Sequence, residues 1–365
     1  MDIEKTVLWL MAAFAVLGGL DRILGNRLGL GKPFEDGILS MGSLAMAMLG
    51  IIALAPVLAG VLKPVIVPVY RLLGADPAMF AGTLLACDMG GGALAAALTS
   101  DPQAALLGGV LTGSMLGATV VFTIPVAMGI LRPEDRPVFA RGILCGVVTV
   151  PLGILAGGLT AGFSPGMVLR NLIPIVLMAA LIALGLWKAE GAMIRGFSLF
   201  ARLVTAVITV GLAAAIVEAL TGVTVIPGMA PLSDGFETVG SIAIVLAGAF
   251  PLVAVLTRVL QKPLGAMGRR FGINETAAAG FLATLANSIA TFGMVKDMDR
   301  RGKTMNIAFA VSAAFVFGDH LGFTAGFAPE MLPALIVGKL VGGITAAAAA
   351  HLLTRPGKHG NSPNS

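Results

Sequence analysis

The chain has 365 residues, of which 57% are apolar and only 12% are charged. Soluble domains carry roughly 25% charged residues, so this composition excludes a soluble globular protein. The net charge of +5 comes without a basic stripe of interleaved aromatic residues, which excludes a nucleic-acid partner.

Apolar segments follow one another along the whole chain, each close to the roughly 20 residues that a helix needs to cross a bilayer. Backbone groups in lipid must be satisfied within the segment, and the alternation of barrel strands is absent. We therefore predict an all-α, polytopic helical membrane protein in contact with the lipid bilayer. The predicted segments are 6–24, 41–62, 77–99, 104–131, 139–160, 166–187, 199–220, 237–259, 275–296, 304–327 and 331–354.

Two predictions concern the ends of the chain. The first segment follows Met1-Asp2-Ile3-Glu4-Lys5, which lacks the basic region and the small-residue cleavage site of a signal peptide, so it is predicted to be a retained span. The polar residues 355–365 are predicted to form a disordered cytoplasmic tail.

Lys and Arg are unevenly distributed among the connections between segments. They concentrate in three connections, 131–141, 258–272 and 296–303, and are absent from 161–166, 221–236 and 319–331. The first group is predicted to be cytoplasmic and the second external. Segment 275–296 then begins and ends on the cytoplasmic side, which predicts a re-entrant hairpin.

An internal repeat is the second organising feature. The motif GSLAMAMLG at 42–50 resembles GSIAIVLAG at 240–248, 198 positions later, and Gly82 matches Gly280 at the same offset. The repeat makes 77–99 a second hairpin, giving about nine crossing helices plus two hairpins in an inverted two-fold repeat. An alternative with ten or eleven spans and parallel repeats stays open. The predicted units are 1–165, a linking helix in 166–195, and 196–354.

Ionisable or unusual polar groups inside membrane segments are costly and usually functional. Asp88 is followed by Gly90, Gly91 and Gly92, which permit an unwound backbone whose carbonyls line a site. The alternative for these glycines is close helix packing. Three polar residues of the second hairpin are candidates for the same site: Asn287, Ser288 and Thr291.

A second interruption, Gly318-Asp319-His320, divides segment 304–327. We predict a discontinuous helix with a cation site at its break, the alternative being an external helix end. Pro125 is predicted to break the equivalent helix of the first half. Lys339, a possible ion or charge partner, is predicted either to snorkel outward or to pair with Asp319 or Glu330.

Signatures of enzymes and metal sites are missing from the sequence. No HExxH or P-loop motif is present, and Cys87 and Cys145 have no metal-ligand spacing. The one GxSxG match, residues 162–166, lies between two predicted membrane helices and not between a strand and a helix, where a catalytic serine of this motif is found. The protein is therefore predicted not to be an enzyme and to need no cofactor or metal.

Three blocks of sequence resemble the ethanolamine utilisation permease family, whose members are EutH-like transporters. They are residues 41–91, 283–303 and 308–323. The resemblance implies a multi-pass permease of the bacterial inner membrane that imports ethanolamine for its catabolism. Analogy with other hairpin-containing transporters adds the expectation of a homo-oligomer, such as a dimer.

The candidate residues suit this substrate, which is a cation at neutral pH. Asp88 and Asp319 offer carboxylates for the ammonium group, and the polar residues of the second hairpin offer partners for the hydroxyl group. Two alternatives stay open. One is a transporter of another small solute, such as a carboxylate. The other is an intramembrane enzyme that uses Asp319 and His320.

Overall fold

In a computed structural model the chain is described over residues 3–354, and all regular structure among these residues is helical. The prediction of an all-α protein is confirmed, whereas the predicted tail at 355–365 lies outside the described residues. The helices are α1 Ile3–Ile23, α2 Gly31–Leu72, α3 Ala78–Leu84, α4 Gly91–Leu98, α5 Pro102–Leu106, α6 Ile124–Ile130, α7 Arg136–Thr160, α8 Pro165–Thr221, α9 Leu232–Phe271, α10 Glu275–Ala286, α11 Ser288–Met294, α12 Arg300–Ala313, α13 Asp319–Phe327 and α14 Leu332–Leu353.

Seven helical stretches among the described residues are long and apolar enough to cross a membrane: Lys5–Ile23, Gly31–Leu72, Pro102–Ile130, Pro133–Thr160, Pro165–Thr221, Leu232–Leu260 and Pro329–Leu353. They confirm the polytopic class. The 57-residue α8 would extend for about 86 Å, nearly three times the roughly 30 Å of a hydrocarbon core. It contains both predicted segments 166–187 and 199–220, which are separated by the non-helical backbone of Ala189.

Neither of the segments 77–99 and 275–296 is a continuous helix. Between α3 and α4 the chain is extended at Leu85 and left-handed at Gly90, where φ is 97°. Between α10 and α11 it is extended at Asn287, with φ −158° and ψ 124°. In each case the two short helices pack against each other. The longest of them, α10, measures only about 18 Å, too short to span a bilayer.

The chain also breaks between α12 and α13, where it runs against the break between α10 and α11. The Phe315 amide donates to the Thr284 carbonyl at 3.2 Å, and the Phe317 amide donates to the Leu285 carbonyl at 2.9 Å. A Cβ on Gly318 would lie 2.2 Å from the Ala286 carbonyl oxygen, so this close approach requires glycine. The backbone groups released by both breaks therefore satisfy one another.

The predicted break at Pro125 is wrong. Helical structure continues from Pro102 to Ile130, and Pro125 lies in the first turn of α6, where a missing amide hydrogen costs little. The distortion lies earlier, because the backbone is π-helical over Leu107–Gly117 and Thr119–Thr123. π-helical stretches are rare in proteins, and those that occur are often found at functional sites.

Four long helical stretches form one layer of the molecule. Gly37 of α2 lies against Ala247 of α9, and Leu49 lies against Gly235. As the residue numbers rise along α2 they fall along α9, so the two helices are antiparallel. In addition, α1 packs on α9, and the part of α8 after Ala189 packs on α2.

The connection between α1 and α2 is tied to α9. Asp21 is 1% exposed, and its carboxylate accepts the amide hydrogens of Leu28, Leu30 and Gly31 at 2.7, 2.7 and 2.9 Å. Arg258 of α9 donates to the Leu28 carbonyl at 2.6 Å. This turn therefore cannot move without α9.

The second layer contains the interrupted helices, together with α7 and α14. These two pack closely through small residues, with Gly153 against Gly338 and Gly157 against Ala334. Both also pack on α12, and the helix that runs from α5 to α6 packs on α3. The α3–α4 and α12–α13 breaks face the first layer, and a cavity lies between the layers.

Candidate functional site

A cavity of about 170 Å³ separates the two layers near the helix breaks. Among its lining residues Asp88, Asp319 and His320 carry ionisable groups. The remaining lining residues are Ser43, Leu44, Ala47, Ala86, Met89, Ala118, Phe122 and Phe315. The structure therefore brings Asp88 together with two candidates, Asp319 and His320, that lie more than 230 positions later in the sequence.

Asp88 reaches the cavity from a single helical turn, Cys87–Met89, between α3 and α4. Gly90 ends this turn with a left-handed backbone, and a Cβ there would also lie 2.2 Å from Ile51. A Cβ on Gly92 would lie 2.5 Å from the Phe323 ring. The glycines thus serve both purposes considered from the sequence, an unwound turn that presents Asp88 and close packing around it.

Asp319 and His320 occupy the first turn of α13, directly after the break at Gly318. The 14 residues of α12 extend for about 21 Å and the nine of α13 for about 14 Å, so the break lies well inside the structure. His320 is 3% exposed, and its Nε2 atom lies 3.8 Å from Oδ1 of Asp88. The two halves of the chain therefore meet where these two side chains approach each other.

Lys339 lies behind His320, away from solvent. It has no exposed surface, which overturns the prediction that it snorkels outward. Its Nζ atom donates to the Ser114 carbonyl at 2.5 Å and lies 3.0 Å from Nδ1 of His320. Its hydrogen-bond partners are thus neither Asp319 nor Glu330, the two partners expected from the sequence.

The polar residues of the second hairpin do not line this cavity. Asn287 caps α11 by accepting the Ile289 amide at 2.8 Å. The Thr291 hydroxyl bonds with the Thr284 hydroxyl at 2.8 Å and donates to the Gly280 carbonyl at 3.2 Å. The Ser288 hydroxyl is buried without a hydrogen-bond partner among the described residues. Asn287 and Thr291 thus stabilise the α10–α11 segment, which lies beside the α12–α13 break.

Two aromatic side chains of the cavity were not predicted from the sequence. The rings of Phe122 and Phe315 meet edge to face with centroids 5.6 Å apart, and Phe315 lies 5.1 Å from the His320 ring. Phe315 has φ 63°, an uncommon backbone conformation for a bulky residue. Phe315 lies three residues before the break at Gly318, and this proximity is the sequence feature that could have identified it as a site residue. Aromatic faces attract cations, so these rings complement the carboxylates.

One group of possible metal ligands occurs among the described residues: Cys87, Asp88 and His320 have ligand atoms within 4.8 Å of one another. Cys87, however, lines a separate cavity of about 60 Å³ and not the one that Asp88 and His320 share. Because Cys87 does not line the cavity that the other two side chains share, we assign no metal to the three residues.

A wide opening of about 680 Å³ adjoins the cavity and shares Met89 and Phe122 with its lining. A smaller cavity of about 60 Å³ is lined by Cys87 and Gly90 and by the stacked rings of Phe323 and Phe327, whose centroids are 4.9 Å apart. The opening, which we call the vestibule, is lined by Met89, Val121, Phe122, Pro125, Val126, Met128, Gly129, Ser198, Ala201, Arg202 and Thr205.

Broken helices, buried carboxylates and a vestibule together define a multi-pass membrane protein of the transporter class. Residues 3–353 match the family described as "Ethanolamine utilisation protein, EutH", and the chain belongs to this family.

Two of three similar proteins carry permease names. The chain is 59% identical to the "Probable ethanolamine permease EutH" of Listeria monocytogenes, over 95% of this chain and 93% of that protein. It is 48% identical to the protein of the same name from Salmonella typhimurium, over 97% and 96%. It is 52% identical to "Uncharacterized protein YxeR" of Bacillus subtilis, also over 97% and 96%. No solved structure matches the chain.

Proposed function

We propose that the protein is an inner-membrane permease that imports ethanolamine for its catabolism. The observation that carries this proposal is the cavity between the layers, where Asp88 and Asp319 face a small space beside two aromatic rings. Its volume of about 170 Å³ is below the roughly 300–1,000 Å³ of pockets for drug-sized ligands, so it suits a solute of few atoms.

The charges of the site favour a cation as the substrate. The carboxylates of Asp88 and Asp319 outnumber the ammonium of Lys339 by one, and a single monovalent cation would balance them. A carboxylate solute would instead meet two like charges in a site shielded from water, which is strongly unfavourable. This argues against the alternative of a dicarboxylate or other anionic substrate.

The site also argues against an intramembrane hydrolase. In a catalytic triad a carboxylate binds Nδ1 of the histidine and stabilises the imidazolium that forms. Here the Lys339 amine lies 3.0 Å from Nδ1 of His320 and would oppose protonation of the ring. We therefore favour transport over catalysis.

The arrangement of helices supports an inverted repeat. α3 and α10 begin 197 positions apart, as do α4 and α11, and α7 and α14 begin 196 positions apart. Gly50 approaches the Ile208 carbonyl and Gly248 approaches the Met11 carbonyl, two contacts that the repeat relates to each other. The antiparallel crossing of α2 and α9 is what inversion of the two halves requires. Transport would follow from alternating exposure of the central cavity.

We infer that the vestibule opens to the cytoplasm. Its residues on α6 lie close to the connection 131–141, where Arg132, Arg136 and Arg141 favour the cytoplasmic side. The conformation described here would then be open inward, with Met89 and Phe122 between the cavity and the vestibule.

Counterflow in liposomes tests the proposed substrate. Purified protein in liposomes preloaded with unlabelled ethanolamine is expected to accumulate labelled ethanolamine transiently, after subtraction of flux into protein-free liposomes. Excess choline or dicarboxylate is expected to compete weakly. Counterflow driven by a dicarboxylate but not by ethanolamine would overturn the proposal.

The predicted topology can be tested with single cysteines on both flanks of α10–α11. Arg270→Cys and Lys296→Cys place thiols at exposed positions, and the native cysteines are both buried. An impermeant thiol reagent is expected to label both variants only from the cytoplasmic side, because both flanks are rich in Lys and Arg. Val223→Cys is the control and should react from outside. Labelling of Arg270→Cys and Lys296→Cys from opposite sides would exclude the hairpin.

A cysteine at Met89 tests whether substrate occupies the cavity. Met89→Cys is expected to react with a cationic thiol reagent added to the vestibule side, and saturating ethanolamine should slow the reaction several-fold by filling the adjoining space. Met128→Cys is the matched control, since Met128 lines the vestibule but not the cavity. Equal protection of both cysteines, or protection of neither, would contradict the assigned site.

A further inference from the structure

The two ring nitrogens of His320 face different surroundings. Nδ1 lies 3.0 Å from Nζ of Lys339 on α14, whereas Nε2 points toward the cavity and lies 3.8 Å from Oδ1 of Asp88. Asp319 precedes it on the same helix, and the Phe315 ring covers one side at 5.1 Å. The distance to Asp88 exceeds that of a hydrogen bond, so a proton on Nε2 would remain available to a ligand.

Lys339 determines which nitrogen can carry the proton. Its amine has no exposed surface and donates to the Ser114 carbonyl at 2.5 Å, in the π-helical stretch of the first half. A charged Lys339 offsets the carboxylate of Asp88, which lies on the opposite side of the His320 ring. An ammonium group has three donors and no acceptor. Nδ1 of His320 must therefore accept the hydrogen bond, which leaves the single ring proton on Nε2.

We propose that Lys339 is a positioning residue that fixes the Nε2–H tautomer of His320, and that this N–H group selects substrates carrying a hydroxyl oxygen. The inference rests on the proposed function: the carboxylates hold the ammonium group, and Nε2–H donates to the hydroxyl two carbons away. An amine without the hydroxyl would leave a buried donor unpaired, which penalises its binding.

The selectivity between ethanolamine and ethylamine measures this contact. The unsubstituted protein is expected to bind ethanolamine at least about tenfold more tightly than ethylamine, the equivalent of one lost hydrogen bond of about 1.4 kcal/mol. Lys339→Met keeps the length of the side chain and removes its donors, so that both tautomers of His320 become accessible. We expect the selectivity ratio to fall several-fold toward one, whatever happens to the overall rate of transport.

A double-mutant cycle separates this role from a structural one. A His320→Leu background has no side-chain donor at this position, so adding Lys339→Met should leave the ethanolamine-to-ethylamine ratio unchanged. A purely structural role of Lys339 would alter uptake of both amines equally in both backgrounds. An unchanged ratio in the single Lys339→Met variant would overturn the proposal.

The tautomer can also be read without changing Lys339. The chain contains three histidines, so nitrogen NMR of histidine-labelled protein in lipid gives few signals, and their comparison with His320→Gln identifies that of His320. We expect the Nε2–H form. Observation of the Nδ1–H form or of a doubly protonated ring overturns the inference even if Lys339→Met does not fold. Failure of the unsubstituted protein to transport ethanolamine would instead refute the proposed function.

Discussion

Asp88→Asn is expected to weaken the binding of ethanolamine by about ten- to a hundredfold. Asparagine keeps the volume of the side chain but removes the negative charge that would face the substrate ammonium. A charge-assisted hydrogen bond in a desolvated site contributes about 1.5–3 kcal/mol, which corresponds to this loss of affinity. The half-saturation concentration for uptake into liposomes measures the effect.

Asp319→Asn is expected to have a similar effect, because Asp319 reaches the same cavity from the other half of the chain. Asp234→Asn is the control, since Asp234 is exposed at the start of α9 and does not line the cavity. It should leave the half-saturation concentration unchanged. Wild-type affinity in both cavity variants, at normal levels of inserted protein, would show that neither carboxylate binds the substrate.

Gly50→Ala and Gly248→Ala are expected to reduce the amount of folded protein severely. A Cβ on Gly50 would lie 1.9 Å from the Ile208 carbonyl oxygen, and one on Gly248 would lie 2.1 Å from the Met11 carbonyl oxygen. Both neighbours are backbone atoms of another helix, which cannot move aside like the end of a side chain. Overpacking typically costs about 1–3 kcal/mol, and a clash with helix backbone belongs at the upper end. Thermal stability in detergent measures the loss.

Matched controls for these substitutions lie in the same two helices. Gly42 and Gly240 begin the repeated motif that Gly50 and Gly248 end, and a Cβ on either would meet no atom within 4 Å. Gly42→Ala and Gly240→Ala should be neutral or slightly stabilising, because alanine has the higher helix propensity. Equal losses at all four positions would mean that glycine acts through the backbone itself and that the helix crossings are misplaced.

The carboxylates of the site can be predicted from the sequence because ionisable residues are rare within apolar membrane segments. Asp88, Asp319 and His320 stand out for this reason, and the glycines beside them mark the breaks that present them. The hydroxyl and amide groups of Asn287, Ser288 and Thr291 also stand out, but their local backbone and side-chain contacts place them beside the cavity rather than on its wall.

Other residues of the site do not stand out from the apolar sequence around them. Phe122 and Phe315 are two of 18 phenylalanines, and only the fold selects them. The environment of Lys339 depends on the Ser114 carbonyl, 225 positions away, and on a π-helical stretch that no residue pattern indicated. Pro125 was misread for a related reason, since proline is compatible with the first turn of a helix and need not interrupt it.

The contacts of α1 and α8 determine which parts of the molecule can move together. α1 belongs to the first half but is fixed to α9 of the second, through Met11 and through the turn held by Asp21 and Arg258. The end of α8 belongs to the second half but packs on α2 of the first. A displacement that preserves these contacts cannot separate one half of the sequence from the other.

Such a displacement would instead slide one layer past the other. The frame would consist of the four long helical stretches, two from each half, and the mobile body would carry the interrupted segments α3–α4, α10–α11 and α12–α13. Ser43, Leu44 and Ala47 line the cavity from the frame, whereas Asp88 and Asp319 line it from the mobile body. A bound substrate would thus move together with Asp88 and Asp319 while the apolar wall of the cavity stays in place, and the boundary between the two bodies would cut across the proposed repeat instead of following it.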